Sequence, residues 1–143
     1  MKHLKTFAAL CCVAALFAAC EKNEVLLQTS VSGTENGHDY VDLGLSVKWA
    51  TCNVDDTAPE GYGKCLAWGE TEQKDIYNIS TYKYGFSYNQ LTKYCTDTLY
   101  GFEGFADNQT KLRLTDDAAH AAWGGSWRMP TAAEWQELRD NCT

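Results

Sequence analysis

Residues 123–138 constrain the fold of this chain more than any other stretch, because they combine tryptophans, a glycine pair and a helix start. Thr131 and Glu134 have the spacing of a capping box, in which each side chain bonds the backbone N–H of the other residue. Pro130 disfavours helical dihedrals in the residue before it. The stretch therefore predicts a helix that begins near Ala132.

The aromatic residues of the same stretch predict a corner of the core. Trp123 and Trp127 flank a Gly-Gly pair, which allows a tight reversal of the chain. Trp135 and Leu138 fall on one face of the following helix. We expect Arg128 to bond nearby carbonyls or a carboxylate. These residues are therefore interpreted as a structural motif and not as a reaction site.

The first 20 residues have the pattern of a lipoprotein signal peptide. Lys2 and Lys5 form a basic start, and the uncharged run over 6–19 is too short to cross a bilayer comfortably. Small residues directly before Cys20 resemble the lipobox of bacterial lipoproteins, in which the cysteine carries the lipid. The sequence predicts a membrane anchor at Cys20; the alternative is an ordinary secretory peptide.

Residues 21–38 are polar enough to predict a flexible tether. Glu21 and Glu24 resemble a weak surface-export signal, although a solvated linker explains them equally well. Alternating apolar residues over 39–54 predict two strands in a hairpin, and a short apolar run over 64–69 predicts another strand.

Tyrosine and phenylalanine are concentrated in residues 76–105, which lack a long period. One interpretation is an aromatic surface that binds sugars or peptides. The other is a compact long loop whose rings pack onto the core, and we favour this second interpretation because a sequence does not show which rings are exposed.

Charge and motif content exclude several classes of function. The formal net charge is −7, whereas nucleic-acid binding normally requires a basic face. No metal-ligand spacing, phosphate-binding loop or protease motif is present. We therefore expect no catalytic residue, no metal and no cofactor.

Four cysteines lie after the predicted cleavage site and are widely spaced in the sequence: Cys52, Cys65, Cys95 and Cys142. Four cysteines in an exported domain predict disulfides, with three possible connectivities.

Four segments together resemble a known family: residues 40–54, 66–70, 127–138 and 140–143. They are similar to the Fibrobacter succinogenes major paralogous domain (FISUMP), a relative of C-type-lectin-like and formylglycine-generating-enzyme-like folds. The resemblance implies an α+β, C-type-lectin-like domain over 39–143 that is truncated at its C-terminus. It also implies that Cys52 pairs with Cys142, because each lies inside a family-like motif, which leaves Cys65 and Cys95 to pair or stay reduced.

The resemblance and the leader together predict an outer-membrane lipoprotein, with cell-surface exposure as a further option. We expect a binding or adhesion module for a carbohydrate or protein ligand, without catalysis. The alternatives are a degenerate formylglycine-generating-enzyme-like domain and a truncated gene product without independent function. Thr57 and Thr98 follow aspartates in predicted loops and resemble bacterial O-glycan acceptors.

Overall fold

The computed structural model describes residues 7–8 and 32–141. The chain divides into two compact units: unit 1 comprises residues 1–65 and 118–143, as far as they are described, and unit 2 comprises residues 66–117. The lipidation site predicted at Cys20 and the disulfide partner Cys142 lie outside the described residues. Among the residues described, none of the helices has the length and apolarity that a bilayer span requires.

A mixed sheet forms the centre of unit 1. Within the described residues its strands are β1 (Phe7–Ala8), β2 (Gly33–Glu35), β3 (His38–Val41), β4 (Lys48–Ala50) and β5 (Trp127–Arg128). Their order is β2-β3-β4-β1-β5; β2, β3 and β4 are antiparallel, and β1 runs parallel to both β4 and β5. The hairpin predicted over 39–54 is confirmed, with Tyr40 opposite Ala50 and Val41 opposite Trp49.

The sheet begins earlier than residue 39, where the domain was expected to start. A two-residue turn of Asn36 and Gly37 joins β2 to β3, and Glu35 pairs with His38 across it. Both turn residues have positive φ, 51° and 86°, as a type I′ hairpin turn requires. The last part of the segment predicted as a tether therefore belongs to the sheet, from Gly33 onward.

Two clusters centred on tryptophan pack against the sheet, one on each face. The helices of unit 1 are α1 (Ala118–Trp123) and α2 (Ala132–Asn141). Ala50 and Trp49 are neighbours in β4, so their side chains point to opposite faces. Ala50 packs with Trp123 of α1 and with Trp127, whereas Trp49 packs with Leu138 of α2. The sheet therefore carries α1 on one face and α2 on the other, and this mixture agrees with the predicted α+β class.

The capping box that begins α2 is confirmed. The Thr131 N–H donates to Glu134 Oε2 at 2.7 Å, and the Glu134 N–H donates to Thr131 Oγ1 at 3.3 Å. Arg128 donates to both oxygens of Glu134 and to the Met129 carbonyl, as predicted. Burial alone would raise the pKa of Glu134, but the bonds from Arg128 and Thr131 outweigh it and lower the pKa to about 2.

The Gly-Gly pair forms the corner that the sequence predicts. Both glycines have positive φ, and Trp123 and Trp127 meet edge to face with ring centroids 5.0 Å apart. The Trp127 indole N–H donates to the Glu35 carbonyl at 2.8 Å, and the His38 ring stacks on Trp123 at 4.3 Å. The β2–β3 turn is therefore held directly against the corner.

Unit 2 contains little regular structure. Its described elements are short 3₁₀ turns at Ile79–Thr81, Phe102–Gly104 and Leu114–Asp116, and isolated bridges join Leu91 to Gly85 and Gly101. The strand predicted over 64–69 is wrong, because these residues form a loop that ends in a turn. A run of four apolar residues is too short to distinguish a strand from a packed loop.

Candidate ligand-binding cleft

Unit 2 contains a cleft of about 320 Å³ whose walls are aromatic. The rings belong to Trp68, Tyr77, Tyr82 and Tyr88. Trp68 and Tyr77 are 46% and 45% exposed, and Tyr88 is 77% exposed. Pockets for small molecules have volumes of about 300–1,000 Å³ and mostly apolar walls with a few polar groups. The volume of the cleft lies at the lower end of this range, and Lys74 and Asn78 are polar residues among its lining.

A tight turn presents Trp68 to the cleft. Gly69 follows it with a φ of +78°, and a Cβ at this position would lie 3.0 Å from the Tyr94 ring. Glycine is needed here for both the positive φ and the close approach of the ring. The Tyr82 hydroxyl donates to the Trp68 carbonyl at 2.9 Å. Two walls of the cleft are therefore connected through one hydrogen bond.

A second capping box fixes the part of the cleft that Tyr77 and Asn78 line. The Thr81 N–H donates to Asn78 Oδ1 at 3.1 Å, and the Asn78 N–H donates to Thr81 Oγ1 at 3.3 Å. The Tyr77 hydroxyl accepts a hydrogen bond from the Lys74 N–H at 3.1 Å. The reciprocal bonds hold the turn that carries Tyr77 and Asn78, so both side chains line the cleft in a defined arrangement.

The positive charge of Lys74 at the cleft is compensated by Glu70. Lys74 Nζ lies 2.7 Å from Glu70 Oε1 and donates to the Thr81 carbonyl at 2.8 Å. Glu70 is buried; burial alone would raise its pKa, but the Lys74 ammonium and the Lys83 N–H lower it below its usual value. The Glu70 carboxylate is therefore ionised at neutral pH, and the ion pair adds little net charge to the cleft.

The hydroxyl of Tyr82 stays protonated in this setting. Burial raises its pKa to about 12, and the nearby Glu70 carboxylate acts in the same direction. Glu70 is thus ionised and Tyr82 neutral at neutral pH. They offer hydrogen bonds and ring surface to a ligand.

A buried carboxylate supports the cleft from inside unit 2. Asp116 accepts hydrogen bonds from the hydroxyls of Tyr84 at 2.8 Å and Tyr94 at 2.7 Å, and it pairs with Lys93. Burial alone would raise the pKa of Asp116, but these bonds hold it well below its usual value. The Tyr94 ring contacts Trp68 edge to face at 6.4 Å. The Asp116 cluster therefore positions a ring that packs behind Trp68, one of the residues that line the cleft.

The aromatic stretch 76–105 divides between the two interpretations made from sequence. Tyr84 is buried and Tyr82 and Tyr94 are half-buried, as the packed loop requires. Exposed rings are Tyr77, Phe86, Tyr88, Tyr100, Phe102 and Phe105. The packed-loop interpretation is thus correct for three rings and wrong for the six that are exposed. One local signal in the sequence could have indicated part of the cleft. Asn78 and Thr81 have the spacing of a capping box, and they directly follow Tyr77.

The other predicted site residues that the structure describes are not among those that line the cleft. The motif Trp123, Trp127, Arg128, Pro130, Thr131, Glu134 and Trp135 belongs to unit 1, where it builds the core. Thr57 in unit 1 and Thr98 in unit 2 are exposed in loops, each preceded by an aspartate whose carboxylate accepts a backbone N–H. Their glycosylation stays a prediction.

Two of the cysteines carry thiols that bond backbone carbonyls. Cys52 donates to the Asp56 carbonyl and buried Cys95 to the Asp97 carbonyl, each at 3.1 Å. Burial raises the pKa of the Cys52 thiol. Cys65 is exposed. Pairing of Cys52 with Cys142 stays a prediction, since Cys142 is not described.

In the part of the chain that the structure describes, no group of three or more His, Cys, Asp or Glu side chains could hold a metal ion. No protein-family model matches the chain, and no curated protein or solved structure is significantly similar to it.

Proposed function

We propose that this protein is an extracytoplasmic binding protein, and that the cleft of unit 2 binds a neutral carbohydrate. The observation that carries the proposal is the set of four aromatic rings around one cleft, three of them strongly exposed. Single exposed rings are common on protein surfaces, whereas several exposed rings gathered at one cleft mark an interaction site. Rigid aromatic side chains supply contact area at low cost in conformational entropy.

The polar groups at the cleft favour a ligand with many hydroxyls. The Asn78 carboxamide, the Tyr82 hydroxyl and Lys74 lie among the rings, and each can exchange hydrogen bonds with a sugar hydroxyl. The flat rings offer apolar faces to the C–H groups of a sugar. Hydrogen bonds from a few polar groups then set the orientation of the ligand.

The charge of the cleft favours a neutral sugar over an acidic one. Glu70 already pairs with Lys74, so an anionic ligand would have to compete for the ammonium group. An uncharged ligand leaves this pair intact. We therefore expect uronic acids and sulfated sugars to bind more weakly than neutral ones.

We also propose a lipid anchor at Cys20 and a C-type-lectin-like fold for unit 1. The leader would place the protein in the outer membrane through lipid on Cys20, and the α+β arrangement of unit 1 is compatible with the C-type-lectin-like, FISUMP-type domain that the sequence resembles. Replacement of Cys20 by serine should abolish lipidation and leave the precursor uncleaved. Maturation of the C20S protein to the normal size would contradict the anchor.

The ligand class is tested with an oligosaccharide array followed by calorimetry on the strongest neutral binder. Trp68→Ala should weaken binding at least tenfold, because it removes the largest of the four rings that line the cleft. Tyr82→Phe should weaken it less, since the ring remains and only a hydroxyl is lost.

Phe86→Ala is the matched control, because Phe86 is an exposed ring of the same unit, 66% accessible, that does not line the cleft. Its binding should equal that of the unmodified protein. Equal losses in W68A and F86A would contradict the cleft as the site. Binding of peptides but of no oligosaccharide would contradict the ligand class and would support the protein-ligand alternative.

A further inference from the structure

The position between β4 and β5 in unit 1 is occupied by two residues of the leader. Phe7 lies opposite Lys48 and Trp127, and Ala8 lies opposite Trp49 and Arg128, parallel on both sides. Neighbouring strands are about 4.8 Å apart, so β4 and β5 are separated by about 10 Å, too far for direct hydrogen bonds. The sheet is continuous only while a strand lies between them.

The strand that fills this position is short, and it belongs to the leader, which is predicted to be cleaved off. Residues 1–19 precede the predicted cleavage site, and the ladder covers two residues on each side. Among the described residues, β5 pairs with β1 alone. Removal of the leader would therefore leave one edge of β4 and both edges of β5 without a strand.

We propose that the position between β4 and β5 is an acceptor site for an extended peptide strand. The leader holds it in the precursor, and an extended apolar segment of a partner polypeptide, parallel to β4, takes it after the leader is removed. The inference concerns unit 1 alone and does not depend on the carbohydrate cleft.

The surroundings of the site define the chemistry of the partner segment. Trp49 and Trp127 flank the position, are 1% and 0% exposed, and belong to the clusters on opposite faces of the sheet. A strand buried on both faces needs apolar residues at successive positions and not an alternating pattern. The leader has such a composition, as an uncharged and mostly apolar run over residues 6–19.

A polypeptide strand is favoured over a small molecule because the site offers two rows of backbone groups. Strand addition at one sheet edge already provides main-chain hydrogen bonds to a peptide partner. Insertion between two strands provides them on both sides. A buried group beside the site is also incompletely satisfied: the Trp49 indole N–H has no acceptor among the described residues.

The test uses the full, unprocessed chain and a synthetic peptide of residues 4–11 with serine at position 11. Ala8→Pro removes a backbone N–H and disfavours a central strand, so it should release the leader from the site. Ala18→Pro is the matched control, with the same substitution in the leader but outside β1. A fluorescently labelled peptide reports binding through anisotropy, and the midpoint of thermal unfolding (Tm) reports stability.

We expect A8P to lower the Tm relative to A18P, and the peptide to bind A8P at least tenfold more tightly than the unmodified chain and to restore part of the Tm. A peptide with proline at position 8 should do neither. An A8P Tm equal to that of A18P, equal binding of the two peptides, or equal binding to A8P and the unmodified chain would overturn the proposal.

If A8P does not fold, hydrogen exchange in the unmodified full chain decides the question. The amides of residues 128–129 should exchange slowly, because β1 is the strand that covers β5. Exchange at the rate of an exposed loop would show that no strand occupies the position, and the proposal would fail.

Discussion

Unit 1 buries tryptophans on both faces of a sheet, whereas unit 2 is organised around carboxylates that accept hydrogen bonds from its loops. In unit 2, Asp107 accepts the backbone N–H groups of Tyr94, Cys95 and Gln109, and Glu70 accepts that of Lys83. Backbone donors without a ladder partner still require an acceptor when they are buried. Carboxylates in unit 2 thus replace the ladders of unit 1.

The comparison explains why the two units offer different surfaces. Apolar side chains in unit 1 are drawn into two clusters by the alternation of the strands. In unit 2 the polar bonds fix the backbone, so several rings can remain exposed without loss of the local structure. A loop held in this way is suited to present aromatic side chains to a ligand.

The largest effect is expected in the apolar core of unit 1. Trp127→Ala removes a fully buried ring and its hydrogen bond to the Glu35 carbonyl. Such truncations cost about 4 kcal/mol of unfolding free energy. Urea denaturation measures the loss, and Tyr62→Ala, at a ring that is 86% exposed, should change the stability by less than about 0.5 kcal/mol. A loss under about 2 kcal/mol would mean that the apolar cluster is not what holds unit 1.

The matching test in unit 2 is Asp116→Ala. It leaves Lys93 without its carboxylate and two tyrosine hydroxyls without their acceptor. Loss of one partner from a largely buried charge pair costs about 3 kcal/mol. Near-ultraviolet circular dichroism during urea denaturation should show the tyrosine signal failing earlier. Asp75→Ala, at an exposed position of the same unit, serves as the control. Equal stability of the two variants would show that the Asp116 carboxylate does not hold the loops of unit 2 together.

Glu134→Gln tests the contribution of a carboxylate within unit 1. It weakens the paired bonds to Arg128 and the capping box, and hydrogen bonds to charged groups contribute about 2 kcal/mol. The pKa of Glu134 is lowered to about 2 in the folded state. Its stabilisation is therefore fully present above the unfolded pKa, about 4.3, and is lost as the pH falls through the folded value.

The stability of E134Q should consequently depend less on pH than that of the unmodified chain between about 4.3 and 2. Denaturation at a series of pH values measures this difference. Parallel curves for the two proteins across that window would show that Glu134 is not ionically coupled to the fold.

The smallest effect is expected at the turn between β2 and β3. Gly37 has a φ of +86°, and a Cβ there would meet no atom within 4 Å. Gly37→Ala should therefore cost only the backbone strain of positive φ, about 1 kcal/mol. The thermal unfolding of this variant should be compared with that of Gly33→Ala. A Cβ at Gly33 would lie 2.5 Å from the Tyr40 hydroxyl oxygen. G33A should be the more destabilised; the reverse order would argue against the hairpin register.

The parts of unit 1 that were predictable from sequence are those set by local chemistry. Thr131 and Glu134 form the expected capping box, and Arg128 finds the expected carboxylate, because each partner lies within six residues. The Asn36-Gly37 dipeptide is an equally local signal, typical of a hairpin turn, but it lies inside a polar segment that predicts a tether. Apolar β-strand patterning is weak in β2, which is Gly-Thr-Glu.

The cleft could not be predicted from the sequence, and the reason is physical. Whether a ring in residues 76–105 is exposed depends on contacts between residues that are distant in sequence, such as Tyr84 with Asp116. Without a helical or strand period, no pattern assigns a ring to an inner or an outer face. Trp68 in particular belongs to the apolar run that predicts a strand, whereas the structure places it in a turn with Gly69, where its ring is exposed.

The distribution of tryptophans between the units has a practical consequence for spectroscopy. The sequence contains five, and four of them, Trp49, Trp123, Trp127 and Trp135, belong to unit 1, where three are buried and Trp135 is partly covered. Trp68 belongs to unit 2 and lines the cleft. Acrylamide should therefore quench the emission of Trp68 preferentially, at the red side of the spectrum, while the blue-shifted emission of the other four persists. The chain carries its own optical reporter for occupancy of the cleft, separable from the signal of the sheet without any label.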